Sequence, residues 1–91
     1  MSLRKYGIIL KKYLKEVKPM EYNKLTIDGT LMDYLLEEEK YLYEFADMVR
    51  LYLKDAYPEP KTHEFIVIAK YNQMIENMVE EFVRNEITKI V

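Results

Sequence analysis

Apolar residues recur along this chain at three- and four-residue steps, the spacing that gathers side chains on one face of an α-helix. Over residues 3–17 they are Leu3, Tyr6, Leu10, Tyr13, Leu14 and Val17. Over 30–56 they are Leu31, Leu35, Leu42, Phe45, Val49, Tyr52 and Ala56, and over 62–90 they are Phe65, Ile68, Ile75, Val79, Phe82 and Val83. The residues between these stripes punctuate them. Lys18-Pro19 ends the first, because a residue before proline is pushed out of the α region. Pro19 can open a short second helix, and Gly29 can close it in the left-handed conformation. Thr30 then offers an N-cap oxygen, with Asp33 near the positive end of the helix that follows. In "YPEPKT", residues 57–62, Pro58 and Pro60 can continue neither neighbouring helix.

The pattern predicts an all-α chain with helices over 3–17, 20–27, 30–56 and 62–90, forming one domain over 1–91. A short connection between two long amphipathic helices makes them an antiparallel hairpin. The first two helices, end to end, are expected to supply a third column of a small helical bundle.

Composition adds constraints. Ninety-one residues at 49% hydrophobic content can form a core with little to spare, so a homo-oligomer, a dimer first of all, is expected. With no Cys, neither a disulfide nor a thiolate metal site can form. No apolar run approaches the roughly 18 residues that span a bilayer, and no signal-peptide core opens the chain. A cytoplasmic protein without membrane insertion is the expectation.

Charge is unevenly spread. "LRKYGIILKKYLKEVK", residues 3–18, holds six Lys or Arg and one Glu, whereas the third helix is acidic and the net charge is −2. Arg4, Lys5, Lys11, Lys12, Lys15 and Lys18 fall away from the first apolar stripe and could track phosphates or contact a protein partner. A pI near 5.5 favours the plainer reading, a solvated face beside acidic neighbours. "EYNKLTIDGTLMDYLLEE", residues 21–38, has a helix-turn-helix outline, yet the positions that would read bases are Leu31, Met32, Asp33, Tyr34, Glu37 and Glu38. Such side chains repel DNA.

Three polar residues interrupt the stripes: Glu38 in the third helix, Asn72 and Glu86 in the fourth. Buried polar groups need partners, so these positions predict a register-fixing contact with Tyr hydroxyls, a Lys or Arg, or a second subunit. Glu38 and Glu86 should lie toward one end of the hairpin. Helical di-metal sites add Glu-x-x-His ligands, but the only His, His63, sits by the proline turn at the other end. The Tyr residues, nine in all, mostly keep helical period and suit a shallow core or a subunit contact better than base stacking. No Ser-His-Asp set, Gly-rich phosphate loop or metal-spaced His cluster is present, so the expectation is a non-catalytic protein without a cofactor or metal.

Two stretches carry a resemblance. Residues 5–35 hold Tyr6-Gly7, then Tyr13-Leu14-Lys15-Glu16, Pro19, Tyr22 with Leu25, and Gly29 with Leu31. Residues 74–87 hold Asn77, Glu80-Glu81 and Asn85-Glu86. In order and spacing these resemble the opening and closing helices of the transposon-encoded TnpV family. That resemblance implies a setting, a bacterial transposon or conjugative element, and no particular reaction. The expected role is a non-catalytic accessory protein acting through protein association, with a protein from the same mobile element as a candidate partner. The other reading is a DNA-binding accessory factor in excision or transfer that uses the basic face of the first helix.

Overall fold

The computed structural model describes residues 2–91, and among them four helices and no strand form. They are α1 (Lys5–Val17), α2 (Pro19–Asp28), α3 (Leu31–Ala56) and α4 (Phe65–Ile90). Helix α3 packs against α4 as an antiparallel hairpin, α1 lies on α3, and α2 touches α1 and α3. The molecule measures 54 × 24 × 18 Å.

The breaks work as their chemistry dictates. Pro19 is the first residue of α2, where its missing N–H costs nothing. Gly29, at φ 75, ends α2 while its own N–H bonds to Thr26 O at 3.2 Å and the Thr30 N–H bonds to Leu25 O at 3.0 Å. This Schellman closure satisfies two of the helix's last carbonyls. It also settles the fate of Thr30. Held at φ −108 and ψ 3, outside the extended conformation of a capping residue, Thr30 makes no side-chain cap for α3, contrary to expectation. The last helix begins at Phe65, later than the expected residue 62, because the Thr62 hydroxyl is engaged in a local turn, accepting the Glu64 N–H at 3.1 Å.

The core runs through Tyr6 and Leu10 of α1, Leu35, Leu42, Ala46, Val49 and Leu53 of α3, and Tyr71, Ile75, Val79, Val83 and Ile87 of α4. It differs from the expected stripes in a consistent direction. On α3, Tyr52 and Ala56 are exposed and Phe45 only half-buried, while Ala46 and Leu53 are inside. Val17, Phe65 and Phe82 are likewise exposed. Helix α3 carries two adjacent apolar rows, and the core takes the one with the small Ala46, which lets a neighbouring helix approach where Phe45 would hold it off.

The expected third column is only half built. Helix α1 occupies it, but no residue of α2 is buried. The reason is spacing: Tyr22 and Leu25 point one way and are half-buried, while Met20 and Ile27, on the opposite side, are 85% and 84% exposed.

Two polar contacts fix the register of the hairpin. Tyr41 donates its hydroxyl proton to Glu86, and Arg50 reaches Glu76 through Nε at 2.7 Å and a second guanidinium nitrogen at 3.0 Å. Arg50 also holds Asp47 at 2.7 Å. Near the turn, the Tyr71 hydroxyl donates to Tyr57 O at 2.5 Å, which ties α4 to the end of α3.

The bidentate hydrogen bond from Arg50 holds the Glu76 carboxyl below its ordinary value of 4.5. A carboxyl that binds its proton less readily folded than unfolded stabilises the fold above the unfolded value, and that contribution is lost as pH falls through the lower, folded one. Because the Glu76 side chain is 51% exposed, solvent screening limits the pair to about 0.5 kcal/mol. Denaturant titrations between pH 6 and pH 3 should therefore show Glu76→Gln less stable than the parent near pH 6, with the difference closing below pH 4.5. A gap that persists unchanged at pH 3 would contradict the assignment.

Candidate functional site

Among the described residues one charged side chain is buried, and it is Glu39, not Glu38. From the core-facing row of α3 its carboxylate meets the first turn of α1. Oε2 accepts the backbone N–H of Arg4 at 2.6 Å and that of Gly7 at 3.1 Å, and Arg4 Nε stands 3.7 Å from Oε1. Arg4 is the N-cap of α1 and provides no side-chain cap of its own. The opening N–H groups of a helix need acceptors, and a carboxylate there also meets the positive end of the helix dipole. Glu39 supplies both from a helix 32 residues further along the chain.

This contact explains Gly7. A Cβ on Gly7 would run into Glu39 Oε2 and stand 2.9 Å from a methyl of Leu3. The glycine serves close approach, since its own backbone is ordinary helix. Beside the clasp, the Arg4 guanidinium lies 3.9 Å from the centre of the Tyr43 ring, and Tyr43 packs at 4.6 Å against the buried Tyr6. Burial pushes the Tyr6 hydroxyl above its ordinary value of 10.0.

The three residues expected as buried polar contacts fare differently. Asn72 is exposed, and Glu38 and Glu86 are half-buried. Glu38 and Glu86 do line one open recess, with Tyr41, Lys40 and Lys89, as the antiparallel register requires. Glu86 has the expected tyrosine partner, Tyr41, whose hydroxyl is pushed above its ordinary value chiefly by that hydrogen bond. The Glu38 position lies one residue off the core row, which is why Glu39 is buried in its place. No group of three or more potential metal-ligating side chains converges among the described residues.

The six basic residues divide. Arg4 is engaged by Glu39 and Tyr43, and Lys5 pairs with Glu80 of α4. Lys15 stands 5.8 Å from the centre of the Tyr22 ring. Among the described residues Lys11, Lys12, Lys15 and Lys18 make no ion pair; Lys11 is half-buried and the other three are exposed. At the α2–Gly29–α3 corner, Met32, Asp33 and Glu37 face solvent, the opposite of a base-reading surface.

The family described as Transposon-encoded protein TnpV matches residues 1–88 of the chain. Neither the curated proteins nor the solved structures yield a match. None of the described helices is long and apolar enough to cross a membrane.

Gly7→Ala tests the clasp against intrinsic preference. Alanine favours a helix interior by about 1 kcal/mol over glycine. Here it should instead destabilise by about 2 kcal/mol in urea unfolding, because displacing the carboxylate strands two N–H groups. Glu39→Ala should cost about as much, and the double variant little more than either alone. A Gly7→Ala variant that melts higher than the parent would dismiss the clasp as the reason for the glycine.

Proposed function

The chain belongs to the transposon-encoded TnpV family, and on that premise we propose that it is a non-catalytic accessory protein of the element, working in the cytoplasm through association with protein. The observation that carries this reading is the apolar row left uncovered along one side of the hairpin: Tyr41, Met48 and Tyr52 of α3 and Met74 and Phe82 of α4, each set on one face by helical spacing, are all exposed. Apolar side chains gathered in this way mark a protein contact. The titrating groups support the non-catalytic part. Burial raises the tyrosines Tyr6 and Tyr34, a hydrogen bond from Arg50 lowers Glu76, and its partner Arg50 is raised. Each shift deepens the protonation state the group already holds at neutral pH, whereas acid–base catalysis needs a value brought toward neutrality.

DNA binding through the first helix is the second reading, and it has its own support in the four lysines without ion pairs. Three observations weigh against it. Arg4 and Lys5 are paired with Glu39 and Glu80 of the same chain, the adjoining corner is acidic, and the sequence pI is 5.5. Affinity for DNA grows with the number of phosphates neutralised, and four lysines on one short helix give a small number.

A fluorescent duplex titrated at about 50 mM and about 150 mM salt separates the two readings. The expected result is no salt-sensitive binding. Binding that falls steeply with salt and disappears on replacing Lys11, Lys12 and Lys15 by Glu would put the DNA reading in place of the association reading.

A further inference from the structure

The hairpin has two broad sides, and its own contacts identify them. One side, the front, carries α1: Tyr43 meets Arg4 and Tyr6, and Glu80 meets Lys5. Beyond the end of α1 the same side is closed by Arg50 with Glu76 and Asp47, since Arg50 lies seven residues after Tyr43 and Glu76 four before Glu80. The other side, the back, is bridged at one end by Tyr41 and Glu86. Stepping from those two residues at helical spacing reaches Phe45, Met48 and Tyr52 on α3, and Phe82, Met78 and Met74 on α4. Met48 is 61% and Tyr52 65% exposed. Among the described residues α2 reaches this side only at the end of the hairpin, where Leu25 and Asp28 line a recess with Tyr34 and Ile90, and no helix covers the row from Tyr41 to Tyr52.

We infer that the back of the hairpin is the contact surface for a second copy of this chain, with α3 of each copy lying along α4 of the other about a two-fold axis parallel to the helices. This deepens the association reading and rests on it.

Size is the first argument. Two 26-residue helices at 1.5 Å per residue and about 10 Å between axes present a face about 39 Å by 20 Å, on the order of 800 Å². That is the area each partner contributes to a standard stable interface.

Charge is the second argument, and it selects both the occupant and its direction. The back row of α3 ends in acids, Glu37 beyond Tyr41 and Asp55 beyond Met48. The back row of α4 ends in bases, Lys70 before Met74 and Lys89 beyond Phe82. All four are exposed, and none of Glu37, Asp55 and Lys70 makes an ion pair among the described residues. The register set by Tyr41 with Glu86 and Arg50 with Glu76 puts Asp55 level with Lys70 and Glu37 level with Lys89. Laying α3 along α4 of a second copy brings each acid to a base. The other two-fold, perpendicular to the helices, sets α3 on α3 and brings Glu37 to Asp55 and Lys70 to Lys89. Like charges at both ends rule against it, and an isologous pair of hairpins forms a closed four-helix bundle.

Static light scattering from about 10 to about 500 µM gives the test, with helical content followed by circular dichroism. The full chain should reach about twice its 11.1 kDa. Met48→Glu and Tyr52→Glu should hold it at the single-chain mass without loss of helix, while Ile27→Glu, on the exposed side of α2, should leave the dimer intact. Asp55→Lys should weaken the dimer roughly fivefold, and adding Lys70→Asp should restore it. A single-chain mass throughout the range overturns the inference, as does a dimer indifferent to Met48→Glu and Tyr52→Glu. A dimer tightened by Asp55→Lys overturns the proposed direction, since only α3 on α3 would bring that lysine to Glu37. Those results strike at the second copy and this face alone; the association reading falls separately, on salt-sensitive binding of duplex.

Discussion

The arrangement depends on one carboxylate. A 13-residue helix is marginal by itself in water, and α1 starts at an arginine that gives its first turn no side-chain acceptor. Glu39 supplies the acceptor from the middle of α3, binding the N–H groups of both Arg4 and Gly7. The direction of α1 follows from that anchor, as does the stacking of Arg4, Tyr43 and Tyr6 and the reach of Lys5 to Glu80. Gly7 is the other half of the device. A helix built from stronger helix formers at this position would propagate better and dock worse.

The helices and their breaks were legible because their signals are local. Pro19, Gly29 and the pair Pro58 and Pro60 each act through their own backbone chemistry, and the boundaries fell within three residues of the expected ones. The buried face of α3 was harder. Rows through Phe45 and Tyr52 and through Ala46 and Leu53 share Leu35, Leu42 and Val49, so periodicity alone admits both. What decides between them is which neighbours press on the helix, and that is tertiary information. Glu39 was hidden by the same choice: on the first row it belongs to the solvated run "EEEK", on the second it stands between Leu35 and Leu42. The one signal that pointed to it is Gly7, a poor helix former in a first turn with no local reason to be there.

The basic first helix shows how an uneven charge pattern is divided on folding. Arg4 and Lys5 are used inside the molecule, against acids of α3 and α4 that lie far away in sequence. Lys12 and Lys15, further along α1, and Lys18 at its C-cap stay in water, and Lys11 is half-buried. A sum over residues 3–18 therefore overstates the field available to an outside partner. The positive potential belongs to the second half of one helix, with Glu21 and Asp28 of α2 lining a recess beside Lys18.

Why the hairpin should have one finished side and one unfinished side follows from the length of its parts. Covering both flanks of two 26-residue helices takes two further columns of similar length, and the other described helices are the 13 residues of α1 and the 10 of α2. Helix α1 covers half of the front; salt links close the rest of it, because an ion pair between half-exposed side chains needs no helix on top. Helix α2, with its apolar residues split between opposite sides, reaches the back only at its end, beside Tyr34 and Ile90. The aromatic and Met side chains there gain from contact with one another, as Tyr41 and Phe45 do at 6.2 Å, but gain more where water is excluded altogether. The lengths of the parts thus leave an apolar row that none of the described helices covers, bounded by acids on one helix and bases on the other.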